Sequence, residues 1–316
     1  MTLSTRSIYR NCSNNIVRAT SEFHKLTSYF SAGKRVIKAS DNPKAISDSI
    51  NTRNKLSQIN RFHKTRNYVK SFLSKECSIL QDISNALSVI GVKVISIQKT
   101  LGDPTILIEE LKSLKNELIM LANSTDSNNN YIFSGDQANK IPFDKNQENS
   151  ITYQGGTKSL QLTISDNWKI DINHIGSEIF IQHEKENLFQ KLDALIKELS
   201  QYALKKKQIP DTNNSDIVDL PYELINQTKK LIKKTENQVL YAQVQSGNYL
   251  IKINDLENSE TSDIERINEY LQNNLGQNHT ELVRMASELQ ISKVLVESSI
   301  QIFHIMKNMS LFNGII

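Results

Sequence analysis

The stretch FSAGKRVIKASDNPKA, residues 30–45, ends one helix and begins another. Gly33 stands where a helix takes up a left-handed C-terminal cap, and the two basic residues after it complement the negative end of the helix dipole. Asn42 precedes Pro43, and a residue before proline avoids helical backbone angles, as an N-cap residue must. We therefore predict a connector turn between two helices, the second beginning at Pro43. The predicted connector turn comprises Gly33, Lys34, Arg35, Ser40, Asp41, Asn42 and Pro43.

Apolar residues before the connector recur at alternating steps of three and four, which is typical of a helix that packs along another helix. Asn and Ser fill many other positions, so we predict that this short helix is ordered only when a partner covers it. A final helix, from Glu281 to about Met309, is apolar on more than one face and should also be covered. The predicted assembly seam comprises Tyr9, Cys12, Ile16, Ala19, Phe23, Leu26, Phe30, Leu282, Leu289, Val296, Phe303 and Leu311.

Helical periodicity continues from Pro43 to about Leu101, which predicts a helix roughly 85 Å long at 1.5 Å per residue. That is several times the average length of a globular helix. Asp103 is predicted to cap a shorter helix that follows. Another long helical pattern starts at Pro221 and extends at least to Leu256.

The sequence pattern changes in the middle of the chain. Residues 131–133 are β-prone and lie among turn residues, and residues 160–164 and 168–172 alternate apolar and polar side chains. Alternation with a period of two predicts half-buried strands. We therefore predict a small β-rich insertion between the long helices.

The predicted fold is mainly α: an elongated antiparallel rod of long helices, with coiled-coil-like termini and a small β-rich insertion domain. The terminal helices, residues 1–30 and 281–316, would be dependent on assembly. Residues 31–130 and 187–280 would form the rod, and residues 131–186 the β-rich outer domain.

Composition argues against several function classes. The net charge of +4 is spread without a basic stripe, so no nucleic-acid partner is predicted. No apolar run is expected to span a membrane, so no membrane insertion is predicted, and the N-terminus lacks the apolar middle of a secretory signal peptide. No phosphate loop, catalytic motif or Cys/His cluster is found, so neither an enzyme nor a cofactor or metal is predicted.

The chain resembles the bacterial flagellin family in three blocks: SAGKRVIKASDNPKA near the N-terminus, LANSTDSNNNYIFSGDQANKIPF in the centre and MKNMSLFNGI at the C-terminus. Asn42 replaces an Asp of the family pattern, and Asn129 and Asn130 stand where a Gly is usual. The central matches include the residues of a predicted rod-to-β segment: Tyr131, Phe133, Gly135, Pro142 and Phe143. The other matching residues are Ser31, Gly33, Lys34, Arg35, Ser40, Asp41, Pro43, Ala45, Leu121, Ala122, Asn123, Ser310, Leu311 and Asn313.

The resemblance implies a secreted structural subunit of the bacterial flagellum, at the junction between hook-associated protein 1 and the flagellin filament. Copies of the chain would form a ring there, after passage through the flagellar type III export apparatus with an export chaperone. The terminal helices would line the inner tube and the β insertion would face outward. Two alternatives stay open: filament flagellin itself, and an intracellular coiled-coil adaptor that binds partner helices.

Overall fold

The computed structural model describes residues 5–97, 104–146, 150–181, 186–208 and 220–312. The helices are α1 Thr5–Ala32, α2 Pro43–Ile97, α3 Thr105–Ala122, α4 Gly176–Phe180, α5 Leu188–Gln208, α6 Tyr222–Leu275 and α7 His279–Phe312. The strands are β1 Phe143–Lys145, β2 Ile151–Tyr153, β3 Gln161–Ser165 and β4 Trp168–Asp171. Of the residues that the structure describes, 75% are helical. The prediction of a mainly α fold with long helices and a small β-rich insertion is therefore confirmed.

The long helices begin and end close to where the sequence places them. α2 begins at Pro43, has 55 residues and is thus about 82 Å long. α6 has 54 residues. The predicted cap of α3, Asp103, lies outside the described residues; Pro104 occupies the N-cap position and makes no side-chain cap hydrogen bond.

The structure falls into two compact units. The first unit comprises Met1–Asn60 and Ser259–Ile316, and the second comprises Arg61–Asn258, so both boundaries lie inside α2 and α6. The predicted division into terminal helices, rod and β-rich outer domain remains a prediction.

The second unit contains an antiparallel pair of helices, formed by its parts of α2 and α6. Lys70 contacts Glu257 at 2.8 Å, and further along Ser88 donates to Glu236 at 3.3 Å, so the two chain directions oppose each other. Buried leucines and isoleucines of α2 form the core beneath this pair, and α3 packs against α5. The α2 members of this core include Leu73, Leu80, Ile83, Leu87, Ile90, Val94 and Ile97.

Arg66 occupies an α2 position where the periodicity calls for an apolar side chain. It is fully buried, and its Nη1 donates to the carbonyl oxygen of Ile164 in β3 at 2.7 Å. The guanidinium therefore ties the long helix to the insertion, where a hydrocarbon side chain would leave that buried carbonyl without this donor.

The insertion consists of two antiparallel strand pairs, β1 with β2 and β3 with β4. Ile164 and Ile170 face the core, as the alternating pattern predicts. The prediction of a strand at Tyr131–Phe133 is wrong, because that segment is a turn whose first residue forms an isolated bridge with Thr125. The short sheet begins instead at Phe143.

Phe143 is the centre of an aromatic cluster that holds the insertion together. Its ring centroid lies 5.0 Å from that of Phe189, 5.3 Å from that of Phe180 and 5.4 Å from that of Tyr153. Such edge and tilted pairs contribute about 0.5–1.5 kcal/mol each beyond the area they bury. The cluster joins β1 and β2 to α4 and α5.

Asn123, just after α3, fixes the position of β1. Its Nδ2 donates to the carbonyl oxygen of Phe143 at 2.8 Å, and its Oδ1 accepts from the Phe143 N–H at 2.9 Å. One side-chain amide thus satisfies both backbone groups of a strand residue, as a neighbouring strand would.

One 18-residue window of α2 is apolar enough to cross a membrane by length and composition alone. The expectation that no such run exists is therefore wrong for this helix. Apolar side chains of α2 pack into the core of the second unit, and 39% of that window is buried.

Candidate assembly interface

α1 and α7 pack against each other in the first unit and run antiparallel. At one end of the pair, the Tyr9 hydroxyl donates to the carbonyl oxygen of Met306 at 3.1 Å, and the Tyr9 and Phe303 rings meet edge to face at 6.1 Å. Cys12 Sγ lies 3.2 Å from the Met306 sulfur. The first and last described helices therefore cover one face of each other.

Of the predicted seam residues, Tyr9, Cys12 and Phe303 contact the opposite helix of the α1–α7 pair, and the role of the seam in assembly stays a prediction. The half-buried members are Tyr9, Cys12, Ile16, Ala19, Phe23, Leu26, Leu282, Leu289, Val296 and Phe303. Phe30 is different, since 43% of it is exposed two residues before α1 ends. The side chain of Leu311, and residues 313–316 of the C-terminal block, lie outside what the structure describes.

Sequence reasoning missed two positions on the same face of α7. Met285 is 1% exposed and Ser292 is 5% exposed, and they alternate with the predicted Leu282 and Leu289 at steps of three and four. Met285 could have been found from that spacing. Ser292 could not, because a search for apolar residues passes over a small polar side chain that permits close helix packing.

A second face of α7 is apolar and uncovered in the single chain. Its side chains are between 49% and 60% exposed, which is unusual for so many aliphatic residues on one helix. The members are Val283, Ile291, Val294, Leu295, Ile302 and Ile305. α1 exposes fewer large apolar side chains, of which Val17 is the most exposed.

The connector turn closes α1 with two backbone hydrogen bonds. The N–H of Gly33 donates to the carbonyl of Phe30 at 3.0 Å, and that of Lys34 donates to the carbonyl of Tyr29 at 3.2 Å. Gly33 has φ +63°, the left-handed conformation that favours glycine at a helix end. The C-cap is therefore formed as the sequence pattern specifies.

Asp41 organises the rest of the connector. Its carboxylate accepts hydrogen bonds from the N–H groups of Lys38 and Ile37, at 2.9 and 3.1 Å, and from the Tyr29 hydroxyl at 2.9 Å. These donors favour the ionised form and lower the pKa of Asp41, the Lys38 N–H having the largest effect. Ser40 is exposed in the same turn, and Asn42 Oδ1 accepts from the Ala45 N–H at 3.0 Å as the N-cap of α2.

Arg35 does more than complement the end of α1. Its N–H donates to the carbonyl of Leu275 at 2.9 Å, and its guanidinium lies 3.4 and 3.5 Å from the carboxylates of Glu281 and Glu288 on α7. Both ion pairs are partly exposed, so each contributes little by itself. Gly276, with φ +64°, leaves room for this contact, because a Cβ there would stand 2.7 Å from the Arg35 Cβ.

The rod-to-β segment belongs to the core of the second unit. Phe133 and Phe143 are fully buried, Pro142 is buried and Tyr131 is half-buried. The carbonyl of the buried Gly135 accepts from Asn173 Nδ2 at 3.0 Å. In the turn before this segment Asn129 has φ 62°, a conformation that Asn tolerates better than most residues, in keeping with the Gly usual there in the family pattern.

A buried polar cluster joins the insertion to α2 and α6. Glu76 is fully buried and accepts hydrogen bonds from the His174 N–H at 2.9 Å and the Ser246 hydroxyl at 2.9 Å. The His174 ring lies 3.1 Å from Glu76 and 3.1 Å from Gln245. Burial lowers the pKa of His174, but the hydrogen bond and charge of Glu76 outweigh it, so the pKa is raised.

Comparison with known proteins gives a family match to the N-terminal part of the chain. Residues 3–138, which include α1, the connector and α2, match the family described as the bacterial flagellin N-terminal helical region. The N-terminal part of the chain is therefore similar to that of the bacterial flagellins. Similar proteins along most of the chain are the flagellar hook-associated protein 3 of Salmonella typhimurium and of Escherichia coli. They are 27% and 26% identical over 272 residues, which cover 81% of this chain and 82% of each relative.

Solved structures of flagellar proteins have a similar fold. A putative flagellar hook-associated protein from Vibrio parahaemolyticus aligns with a TM-score of 0.64 at 19% identity, over 75% of this chain and 100% of that one. The flagellar junction protein from Legionella pneumophila aligns with a TM-score of 0.56 at 13% identity, over 72% of this chain and 100% of that one. At these identities the structural similarity establishes the fold alone.

Proposed function

We propose that this chain is a structural subunit of the bacterial flagellum that forms the junction between hook-associated protein 1 and the flagellin filament. The similarity to hook-associated protein 3 over 81% of the chain carries this proposal. A protein at such a junction must bind neighbours on two sides, and the long helices suit that requirement.

The paired termini support an assembly role. The α1–α7 pair buries one face of each helix and leaves the aliphatic second face of α7 exposed. Copies of the chain in a ring, together with hook-associated protein 1 and flagellin, would cover that face in the assembled flagellum. The seam residues would then hold each chain's two ends together while the second face contacts its neighbours.

The other expected features belong to the same proposal. The chain would reach the outside of the cell through flagellar type III export, escorted by an export chaperone. The terminal helices would line the inner tube, the long helices would form the next layer, and the β-rich insertion would face the medium. The connector, from Gly33 to Pro43, would separate the inner helix from the outer layers.

The decisive experiment is a deletion strain that is complemented with the chain and examined for filaments on its hooks. We expect hooks without filaments in the deletion strain and restored filaments on complementation. Leu289→Asp, which places a charge on the α1–α7 contact, should fail to restore them. Ala286→Asp places the same charge on an exposed position between the two faces of α7 and should restore them.

Other outcomes would select the alternatives. A deletion strain that retains its filaments would contradict the junction role. Growth of long filaments from the purified protein would favour filament flagellin, and confinement of the protein to the cytosol of motile cells would favour an intracellular adaptor.

A further inference from the structure

A groove between α2 and α6 in the second unit belongs to none of the surfaces described above. It has a volume of about 670 Å³ and runs beside residues 226–237 of α6, a length of about 16 Å. The α2 side contributes Ser88, Gly91, Val92 and Ile95. Val92 is 65% exposed, so an aliphatic surface faces solvent there.

The α6 side of the groove is strongly basic. It carries Lys229, Lys230, Lys233 and Lys234, and Glu236 is the acidic residue among the described lining residues. Glu236 already accepts from Ser88 and lies 3.6 Å from Lys233. No described residue forms an ion pair with Lys229, Lys230 or Lys234. The rim therefore presents three ammonium groups whose charge is not matched within the described chain.

Gly91 lies inside the groove, and the packing of α2 against α6 does not require a glycine at this position. A Cβ at this position would stand 3.8 Å from Ile232 Cγ2, which is an ordinary van der Waals distance. Glycine in a helix interior is less favourable than alanine because it leaves the unfolded backbone more freedom. An unneeded glycine beside exposed Val92 keeps the groove open to the close approach of another backbone.

We infer that this groove docks an acidic amphipathic helix of another protein. Aliphatic side chains of that helix would lie on Val92 and Ile95, and its flanking carboxylates would pair with the lysines of α6. A length of about 16 Å accommodates about three turns of helix. Charge complementarity of this kind sets partner choice and association rate more than total affinity.

A second copy of the chain is a poorer occupant. Its most acidic helical stretch is residues 255–269, where Glu257 already pairs with Lys70 and Asp263 with Arg266. The large exposed apolar side chains nearest to that stretch are Ile251 and Tyr270, which lie outside it. The aliphatic residues inside the stretch, Leu256, Ile264 and Ile267, are half-buried, so little aliphatic surface is free beside its carboxylates.

Fluorescence anisotropy with the full chain tests the inference. The probe is a labelled synthetic helix of about five turns, with leucines along one face and glutamates on both flanks. The matched probe has lysine in place of every glutamate. We expect saturable binding of the acidic probe, binding of the basic probe weaker by about tenfold or more, and loss of affinity as salt rises from about 0.05 to 0.5 M.

Variants locate the binding. Lys230→Glu combined with Lys234→Glu should weaken the affinity for the acidic probe by about tenfold or more. Lys205 is an exposed lysine of α5, and Lys205→Glu should leave that affinity unchanged. Gly91→Leu, which fills the groove, should weaken binding as well, and circular dichroism checks that each variant folds. Since the charge variants change only exposed side chains, they test the site even if Gly91→Leu does not fold.

The inference would be overturned by equal affinity for the acidic and basic probes, by unchanged binding to the Lys230/Lys234 variant, or by no saturable binding below about 1 mM. Sedimentation velocity tests whether a second copy of the chain, and not another protein, occupies the groove. Self-association that the Lys230/Lys234 variant abolishes would assign the groove to a second copy and would also overturn it. None of these results depends on where in the cell the protein works.

Discussion

Asn42 holds the start of α2 through a hydrogen bond from the Ala45 N–H to its side chain. Replacement of an N-cap asparagine by alanine removes that acceptor and leaves an N–H of the first turn without it. We expect Asn42→Ala to lower the free energy of unfolding by about 1 kcal/mol in urea denaturation. Asn42→Asp keeps a cap oxygen and should remain near the wild type. Equal losses in the two variants would show that the cap is not the cause.

His174 should make the stability of the second unit depend on pH. Burial opposes the charge on the ring, but the Glu76 hydrogen bond and carboxylate raise the pKa above its ordinary 6.5. A raised pKa in the folded state contributes stability that is fully present below pH 6.5 and is lost as pH rises through the folded-state value. We therefore expect the melting temperature to fall across that interval.

The matched variant for this pH effect is His174→Gln, which retains a hydrogen-bonding side chain but cannot titrate. Thermal unfolding followed by circular dichroism should show a flatter pH dependence above pH 6.5 in this variant than in the wild type. If both proteins lose stability in parallel, another group is responsible.

Asp41 makes stability depend on pH in the acid range. Its lowered pKa gives stability that is lost as pH falls below the ordinary value of 3.8.

Sequence pattern predicts the connector residues well and the buried polar contacts poorly. Gly33 and Asn42–Pro43 signal their roles through local backbone preferences, which need no knowledge of the rest of the chain. The contact of Arg35 with the glutamates of α7, and that of Glu76 with His174, join residues that are about a hundred positions or more apart. Nothing in the local spacing of either residue names its partner.

At the scale of elements, the two long helices each contain an interior glycine in the second unit. A Cβ at Gly247 would meet nothing within 4 Å, and one at Gly91 would make an ordinary contact. We expect Gly91→Ala and Gly247→Ala each to raise the free energy of unfolding by about 0.5–1 kcal/mol, because alanine restricts the unfolded backbone and favours helix. Urea denaturation measures the change.

Gly276→Ala is the control for the glycine variants. Its φ of +64° and the nearby Arg35 Cβ make alanine strained as well as crowded, so this variant should be destabilised. Destabilisation of the Gly91 and Gly247 variants as well would mean that the helices need glycine at those positions. That result would contradict the open surface the structure shows there.

Helices were predicted more accurately than strands, for a physical reason. Steps of three and four between apolar residues persist over dozens of residues in α2 and α6, so a single polar residue at an apolar position does not obscure the pattern. β1 has three residues, and the β-prone run at residues 131–133 is equally short. Which of these short runs pairs is decided by Asn123 and by the aromatic cluster around Phe143, contacts that no local pattern contains.

For the whole molecule, the two units differ in the cores that support them. The main hydrophobic cluster of the described residues lies in the second unit, whereas Val36, Ala45 and Leu275 form a small cluster in the first. We expect the first unit to unfold at lower temperature, because buried apolar area is the main source of stability. Limited proteolysis of the free chain should remove residues 1–30 and 281–316 first.

The control for this proteolysis is the fragment comprising residues 61–258. It should keep its helical circular dichroism and resist protease under conditions in which the full chain loses its ends. Simultaneous cleavage across both units, or ends that survive as long as the middle, would contradict the expected order of stability.

Asn123 has a consequence beyond the placement of β1. An unpaired strand edge is a template on which any extended chain can add itself, and proteins protect such edges to avoid aggregation. The Asn123 amide occupies both free backbone groups of Phe143 on the side of β1 away from β2. In a protein proposed to polymerise through its helices, this amide keeps the sheet from offering a competing, disordered route of self-association.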